Sequence, residues 1–398
     1  MADNINNLAI GEKCTGCSAC ADACPVDAIR MERDFEGFVY PTVNDGECIK
    51  CGKCAKVCPA ANPCKTTPIS SMFAAFSKDK TLRMNSSSGG VFAACAKYVT
   101  EQGGIAAGAA IDQYGHVMHR LASSAKDVGL LQKSKYVQSD AMGIYRQVKQ
   151  KLECGGRVLF SGCPCQVAGL LSFLGKDYPN LVTMDLICHG VPSPGVWEDH
   201  VFELTDGNPA SSISFRRKDA TARTTFSVDV VSRGGMYKGR DEYDDPYMAL
   251  FVKGAANRES CYICPYANNE RVGDLTIGDC ASSDCYPSFY PWVQLSSVSP
   301  NTSKGRAFWA EMQPLFVMVP IDPEREIRLN AQLSSPVKRP ALRDEVYKQI
   351  YSGGLSSAAA AVTPVRSIKS GMKRVIKLIV PNVVRGHLKM LNAKIHGR

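Results

Sequence analysis

Cys14-Thr-Gly-Cys17-Ser-Ala-Cys20-Ala-Asp-Ala-Cys24-Pro25 is answered 34 residues later by Cys48-Ile-Lys-Cys51-Gly-Lys-Cys54-Ala-Lys-Val-Cys58-Pro59. Both runs read C-x2-C-x2-C-x3-C-P, the spacing that holds a pair of [4Fe-4S] cubanes. Three thiolates on one tight loop cap three corners of a cube. The fourth corner faces away and takes the last Cys of the other run, while the Pro turns the chain off. One cluster is therefore assigned to Cys14, Cys17, Cys20 and Cys58, and the second to Cys48, Cys51, Cys54 and Cys24. Zinc is usually held by two separated pairs and does not need two quartets with exchanged fourth members. Disulfides would require an exported chain.

Between the runs, Ala28-Ile-Arg-Met-Glu-Arg33 and Gly37-Phe-Val-Tyr-Pro41 suit short strands sandwiching the clusters, as in dicluster ferredoxins. This domain spans 1–65 and leaves through Asn62-Pro-Cys-Lys-Thr-Thr-Pro68, a linker by composition. Cys64 has no partner spacing and reads as a free thiol.

At 398 residues, the chain has room for two to three domains. It carries 18 cysteines. Met1 to Gly11 shows no basic and apolar leader, and no stretch has the roughly 18 apolar residues of a membrane span. The expectation is a reducing cytoplasm, with cysteines used for metal. The net charge of +9 is gathered at the end. No acidic residue follows Glu345, so the body is close to neutral and a nucleic-acid-binding core is not indicated.

From residue 71 the pattern alternates strand and helix, predicting a mixed α/β core after the ferredoxin head, an α+β chain overall. Its first part covers 71–155. Asn85-Ser-Ser-Ser-Gly-Gly90 feeds a helix beginning at Val91. Such a loop suits an anion, because free N–H groups and the helix dipole point at it. An N-cap serine cluster with a tight turn explains most such loops. There is no G-x-G-x-x-G or Walker loop, so no Rossmann domain is inferred.

The second part, 156–345, carries Ser161-Gly-Cys-Pro-Cys-Gln166 between a strand and a helix, and Cys188-His-Gly190 after the next strand. The helix dipole would favour thiolates at Cys163 and Cys165. Cys261-x2-Cys264 joins Cys165 and Cys188 to make four thiols, enough for a third [4Fe-4S] cluster or for a structural zinc. Cys163, Cys280 and Cys285 are spare candidates. Cys95 and Cys154 read as small buried side chains. His116, His119 and His200 read as ordinary histidines, and His189 as a candidate proton donor.

Residues 352–398 read as a flexible Ser/Gly/Ala joint followed by a basic amphipathic helix at 365–380. That helix suits an anionic membrane surface at the inner face, or docking on protein.

The ordered motifs Ser88-Gly89-Gly90-Val91, Lys135-Tyr136-Val137-Gln138-Ser139, Gly162-x-Pro164-Cys165-Gln166, Cys188-x-Gly190-x-Pro192-Ser193, and Cys261-x2-Cys264 with Gly278-Asp279, resemble the coenzyme F-420 hydrogenase/dehydrogenase beta-subunit family. The resemblance runs from about residue 10 to about residue 320. It implies an FAD with Ser87, Ser88, Gly89 and Gly90 at its phosphates and Lys135 and Tyr136 near the flavin or substrate. It also implies a proximal cluster on Cys165, Cys188, Cys261 and Cys264. Lys135 and His189 are the catalytic candidates. The chain departs from the family pattern at Cys163 and Cys280.

The implied activity is an iron–sulfur flavin oxidoreductase. It would exchange electrons between reduced deazaflavin, or a similar hydride carrier, and a one-electron partner such as ferredoxin or a partner subunit. Two rivals stand beside it: a ferredoxin-dependent FAD reductase of a small organic substrate, and an electron-transfer subunit of a larger complex.

Overall fold

The computed structural model of the chain describes residues 4–8, 10–218, 224–239, 244–286, 289, 293–363 and 384. Its body is built on an eight-stranded sheet. The strand order is Phe316–Ile321, Met72–Ser77, Ser296–Pro300, Leu275–Asp279, Leu181–Leu186, Val158–Gly162, Ile105–Ile111 and Val117–Ala122. The strands from Leu275–Asp279 to Ile105–Ile111 are parallel to one another, and those flanking them pair antiparallel. Val158–Gly162 is buried at every position, as a parallel strand covered on both faces must be. Residues 71–155 and 156–345 contribute strands to this one sheet.

The sequence around the Cys163 turn explains its geometry. Gly162 ends a strand, Cys163 caps, and Pro164 opens the helix Pro164–Leu174 with its fixed φ. The Gln166 side chain returns to the Cys163 N–H at 3.0 Å. Cys163 and Cys165 therefore stand at the carboxyl end of a parallel strand. Cys188 follows the end of its neighbour, Leu181–Leu186. That edge is where parallel α/β sheets place ligands.

The head domain pairs Ile29–Arg33 with Val39–Val43. Its two short helices, Ala19–Asp22 and Lys53–Lys56, are entered through left-handed Ser18 and Gly52. Side chains of the core reach into the head. The fully buried Arg258 donates to the carbonyls of Cys14 at 2.7 Å and Val39 at 2.9 Å, and to Gln138 Oε1 at 3.1 Å. Its guanidinium lies 4.0 Å from the Tyr40 ring centroid. Gly16 allows this approach. Its φ is +63°, and a Cβ there would fall 2.5 Å from Gln138 Nε2. From the head, Asp22 accepts from the N–H groups of Gly143 at 2.7 Å and Tyr145 at 3.1 Å, at the start of Ile144–Glu153.

Two expectations are corrected. Residues 352–362 of the stretch read as a flexible joint belong to the helix Arg343–Val362. Gly354 breaks it with φ +81°, but Leu355, Ala358 and Ala359 are buried with Trp197 and Tyr247. Alanine is the strongest helix former, and its small side chain allows close packing. Cys154 is exposed, because it caps Ile144–Glu153 just past the buried Leu152. The basic stretch 365–380 lies outside the described residues. Among them, no helix is long and apolar enough to cross a membrane.

Candidate functional site

Cys14, Cys17, Cys20 and Cys58 line one cavity of about 200 Å³, walled by Ile5, Ile10, Met31 and Tyr40. Cys24, Cys48, Cys51 and Cys54 line a second, smaller cavity with Val26, Ile29 and Ile49. Each cavity has three cysteines of one run and the fourth of the other. Burial pushes Cys17 up to about 12 and moves Cys20, Cys54 and Cys58 the same way. Neighbouring thiols add to the shift at Cys17. Thiols that resist ionising alone are discharged by iron, which binds the thiolate and releases the proton. The Ala28 N–H donates to Cys24 Sγ at 3.2 Å, a bond that would also steady a bound sulfur.

A second group of cysteines gathers at the sheet edge. Cys163 and Cys188 sulfurs lie 3.8 Å apart. Cys165 is raised by burial and then by the nearby Cys264, Cys188 and Cys261. Cys261 and Cys264 are pushed up to about 12 and about 11, again chiefly by burial. Here burial and mutual repulsion oppose the helix dipole at Cys165. Gly190 lets the two loops meet. Its φ is +93°, and a Cβ there would fall 2.3 Å from Asn257 Nδ2 and 3.3 Å from the Cys261 Cβ. Behind the group, Arg271 and Asp185 form a buried ion pair at 2.8 Å that ties the loop after Cys264 to the strand before Cys188.

Of the spare cysteines, Cys163 joins this group. Cys280 lies elsewhere, 3.6 Å from Ser282 Oγ and 3.9 Å from the buried Glu326, with Cys285 nearby. Among the described residues, no three His, Cys, Asp or Glu side chains close on a single ion. A cubane differs from a single ion in spreading its thiolates over four irons.

The two groups of thiols approach each other across one helix. At Gly169, one turn after Cys165, a Cβ would lie 3.1 Å from both Cβ and Sγ of Cys17. Cys17, Cys165 and Cys264 share an apolar cluster with Val167, Leu170 and Tyr266.

The Ser87–Gly90 loop faces a different set of groups. Ser88 Oγ donates to Leu295 O at 2.8 Å, and the Gly89 N–H donates to Ser296 Oγ at 2.9 Å. A Cβ on Gly89 would fall 2.3 Å from Ala75 O, so the loop is pressed against the sheet. Ser87 Oγ accepts from the Ser134 N–H at 2.6 Å, which brings the 134–139 segment alongside. Cations crowd the loop. Lys218 donates to Ser88 O and Arg83 O, Arg216 donates to Ser87 O at 3.3 Å, and Arg83 Nε is buried with no partner among the described residues. That orphaned donor and its cationic neighbours suit an anionic ligand such as a flavin diphosphate.

Arg216 also donates to the Tyr136 hydroxyl and pairs with Asp279 at 2.7 Å. Tyr136 stacks on Phe251 with centroids 4.4 Å apart. Burial and the neighbouring Lys133 lower Lys135 to about 7, and its Nζ donates to Gln132 O at 2.7 Å and Leu130 O at 3.2 Å. His189 is lowered by desolvation, opposed by Asp279. The sequence reading missed Arg83, Arg216, Lys218 and Arg258. The only signal was the cationic run Arg216-Arg217-Lys218 in a strand facing the loop.

Comparison with known proteins follows the same division. Residues 13–62 match the 4Fe-4S dicluster domain, and residues 155–319 match the C terminus of the coenzyme F420 hydrogenase/dehydrogenase beta subunit. No curated protein matches. A solved structure from the F420-reducing [NiFe] hydrogenase complex of Methanosarcina barkeri, studied by xenon derivatization, aligns at 16% identity with a TM-score of 0.44. The alignment covers 72% of this chain and 94% of that one. This chain therefore carries one region similar to the 4Fe-4S dicluster domain and another similar to the C terminus of the coenzyme F420 hydrogenase/dehydrogenase beta subunit, and is an iron–sulfur electron-transfer protein related to that subunit.

Proposed function

We propose that the chain is an iron–sulfur flavoprotein oxidoreductase coupling hydride exchange at FAD to single-electron transfer, with a reduced deazaflavin or similar carrier as hydride partner. One observation carries the reading. Three cysteine groups run from the head domain to the sheet edge, and Cys17 packs directly on the helix that bears Cys165, at Gly169. Cys14, Cys17, Cys20 and Cys58 would hold one [4Fe-4S] cluster, and Cys24, Cys48, Cys51 and Cys54 a second. Cys165, Cys188, Cys261 and Cys264 would hold a third, with Cys163 at its edge.

FAD would lie at the Ser87–Gly90 loop beside Lys135 and Tyr136, and when bound it supplies the exchange between paired and single electrons. The chain's own groups define the rest. Arg83, Arg216 and Lys218 neutralise an anion at the loop. Asp279 and Tyr136 hold Arg216 in place. Lys135, lowered to about 7, can give or take a proton near neutral pH, and His189 stands within the field of Asp279 and Arg216.

Anaerobic purification with iron, sulfide, zinc and flavin quantified per chain tests this. About twelve irons and one FAD per chain are expected. About eight irons without flavin would leave only the dicluster head. Zinc in place of the last four irons would remove the third cluster.

A further inference from the structure

We propose that the outer rim of the cavity lined by Cys24, Cys48, Cys51 and Cys54 is the docking face for a small, acidic one-electron carrier protein. The proposal rests on the reading that this cavity holds a cluster, and it adds where electrons cross between molecules and what charge the partner bears.

The two cysteine cavities of the head face different surroundings. Cys17, in the first, packs toward Gly169 and the core. In the second, Cys51 is exposed, and the lining residues Val26 and Ile49 are 40% and 61% exposed. An apolar rim beside an exposed ligand position suits brief contact, where desolvation is cheap and the distance between centres is short.

The charge around that rim has one sign at its centre. Lys50 adjoins Ile49 and Cys51, while Lys53 lines the cavity and Lys56 follows one helical turn on. All three are exposed, and none enters an ion pair among the described residues. The acid adjoining Val26, Asp27, is taken up by Arg146 at 2.7 Å. Asp45 and Glu47, also exposed, precede Cys48 in the same loop. Against a nearly neutral body, three lysines interleaved with cysteines steer a negatively charged partner to the place where an electron has least distance to travel.

The test uses the full chain, anaerobically loaded with iron and sulfide, and a reduced acidic plant-type [2Fe-2S] ferredoxin as probe. Stopped-flow bleaching gives the second-order rate constant. In the native chain it should fall at least about tenfold between low and roughly 0.5 M salt. The K50E/K53E/K56E variant should lose about as much at low salt. Reduced methyl viologen, a small cation, should reduce the variant at least as fast as the native chain, which shows the centres intact.

Equal ferredoxin rates in the two proteins, with iron content unchanged, would overturn the proposal. So would a ferredoxin rate constant that rises with salt in the native chain. Should the variant lose iron, the salt profile of the native chain decides, and a flat profile overturns the proposal. A native chain that takes up no iron overturns the underlying cluster reading, and iron analysis separates that case.

Discussion

Single side chains hold this molecule's centres in place, and the buried pair Arg271–Asp185 is the most exposed to test. Arg271 Nη2 meets Asp185 Oδ1 at 2.8 Å, and the Gly273 N–H meets Asp185 Oδ2 at 2.8 Å. Asp185→Asn leaves a buried guanidinium without its counter-charge, and is expected to cost about 3–5 kcal/mol. On the proposal that Cys188 and Cys264 hold a third cluster, it should also release iron there, read as a lower denaturation midpoint and a lower iron count in oxygen-free buffer. His119 gives a pH dependence. Its ring lies between Ser161 O and Ser139 Oγ, and burial lowers it from 6.5 to about 4. The unfolded chain therefore binds the proton first. Stability is intact above pH 6.5 and declines toward pH 4, by about 3 kcal/mol in all. His119→Gln should flatten that part of the stability curve. The cysteines were legible in the sequence because ligand spacing is a local property. Arg258 was not, because its meaning comes from Cys14, 244 residues away.

At the scale of elements, the helix Pro164–Leu174 carries the most consequence. Its start was readable from Pro164 and Gln166, and its length from the apolar run that follows. Its face toward the head domain was not readable, since Gly169 looks like any helical glycine until Cys17 is placed against it. A Cβ there would also meet the Tyr145 hydroxyl at 2.9 Å. Gly169→Leu should push the Cys17 loop off the helix. The expected result is loss of about four irons per chain, with circular dichroism largely kept. The loss should fall at the Cys14/Cys17/Cys20/Cys58 cavity, and Mössbauer or electron paramagnetic resonance spectra identify it. The Ser/Gly/Ala stretch after Ser352 misled for the opposite reason. Its composition matches a linker, but Leu355, Ala358 and Ala359 find a buried surface, and tertiary packing decides.

Across the whole molecule, the head and core are joined by charge as well as by apolar contact. Arg343, at the start of the last described helix, meets both carboxylate oxygens of Glu36, at 2.8 Å and 2.5 Å, and the Asn257 carbonyl at 3.0 Å. Ser193 Oγ donates to Glu36 O at 2.5 Å, and a Cβ on Gly37 would collide with Gly195. Arg343→Met should strand Glu36 and cost about 3–5 kcal/mol. Limited proteolysis should then cut near residues 59–70, a site resistant in the native chain. The alternating strands and the cysteine ladder gave the architecture away, but the seam between its parts was hidden, because residues such as Glu36 and Arg343 are paired only by the fold. That seam has a kinetic meaning. A head bolted at Arg258, Asp22 and Arg343 cannot swing on a tether from donor to acceptor, so added viscogen should slow encounters with other molecules and leave the internal hop untouched.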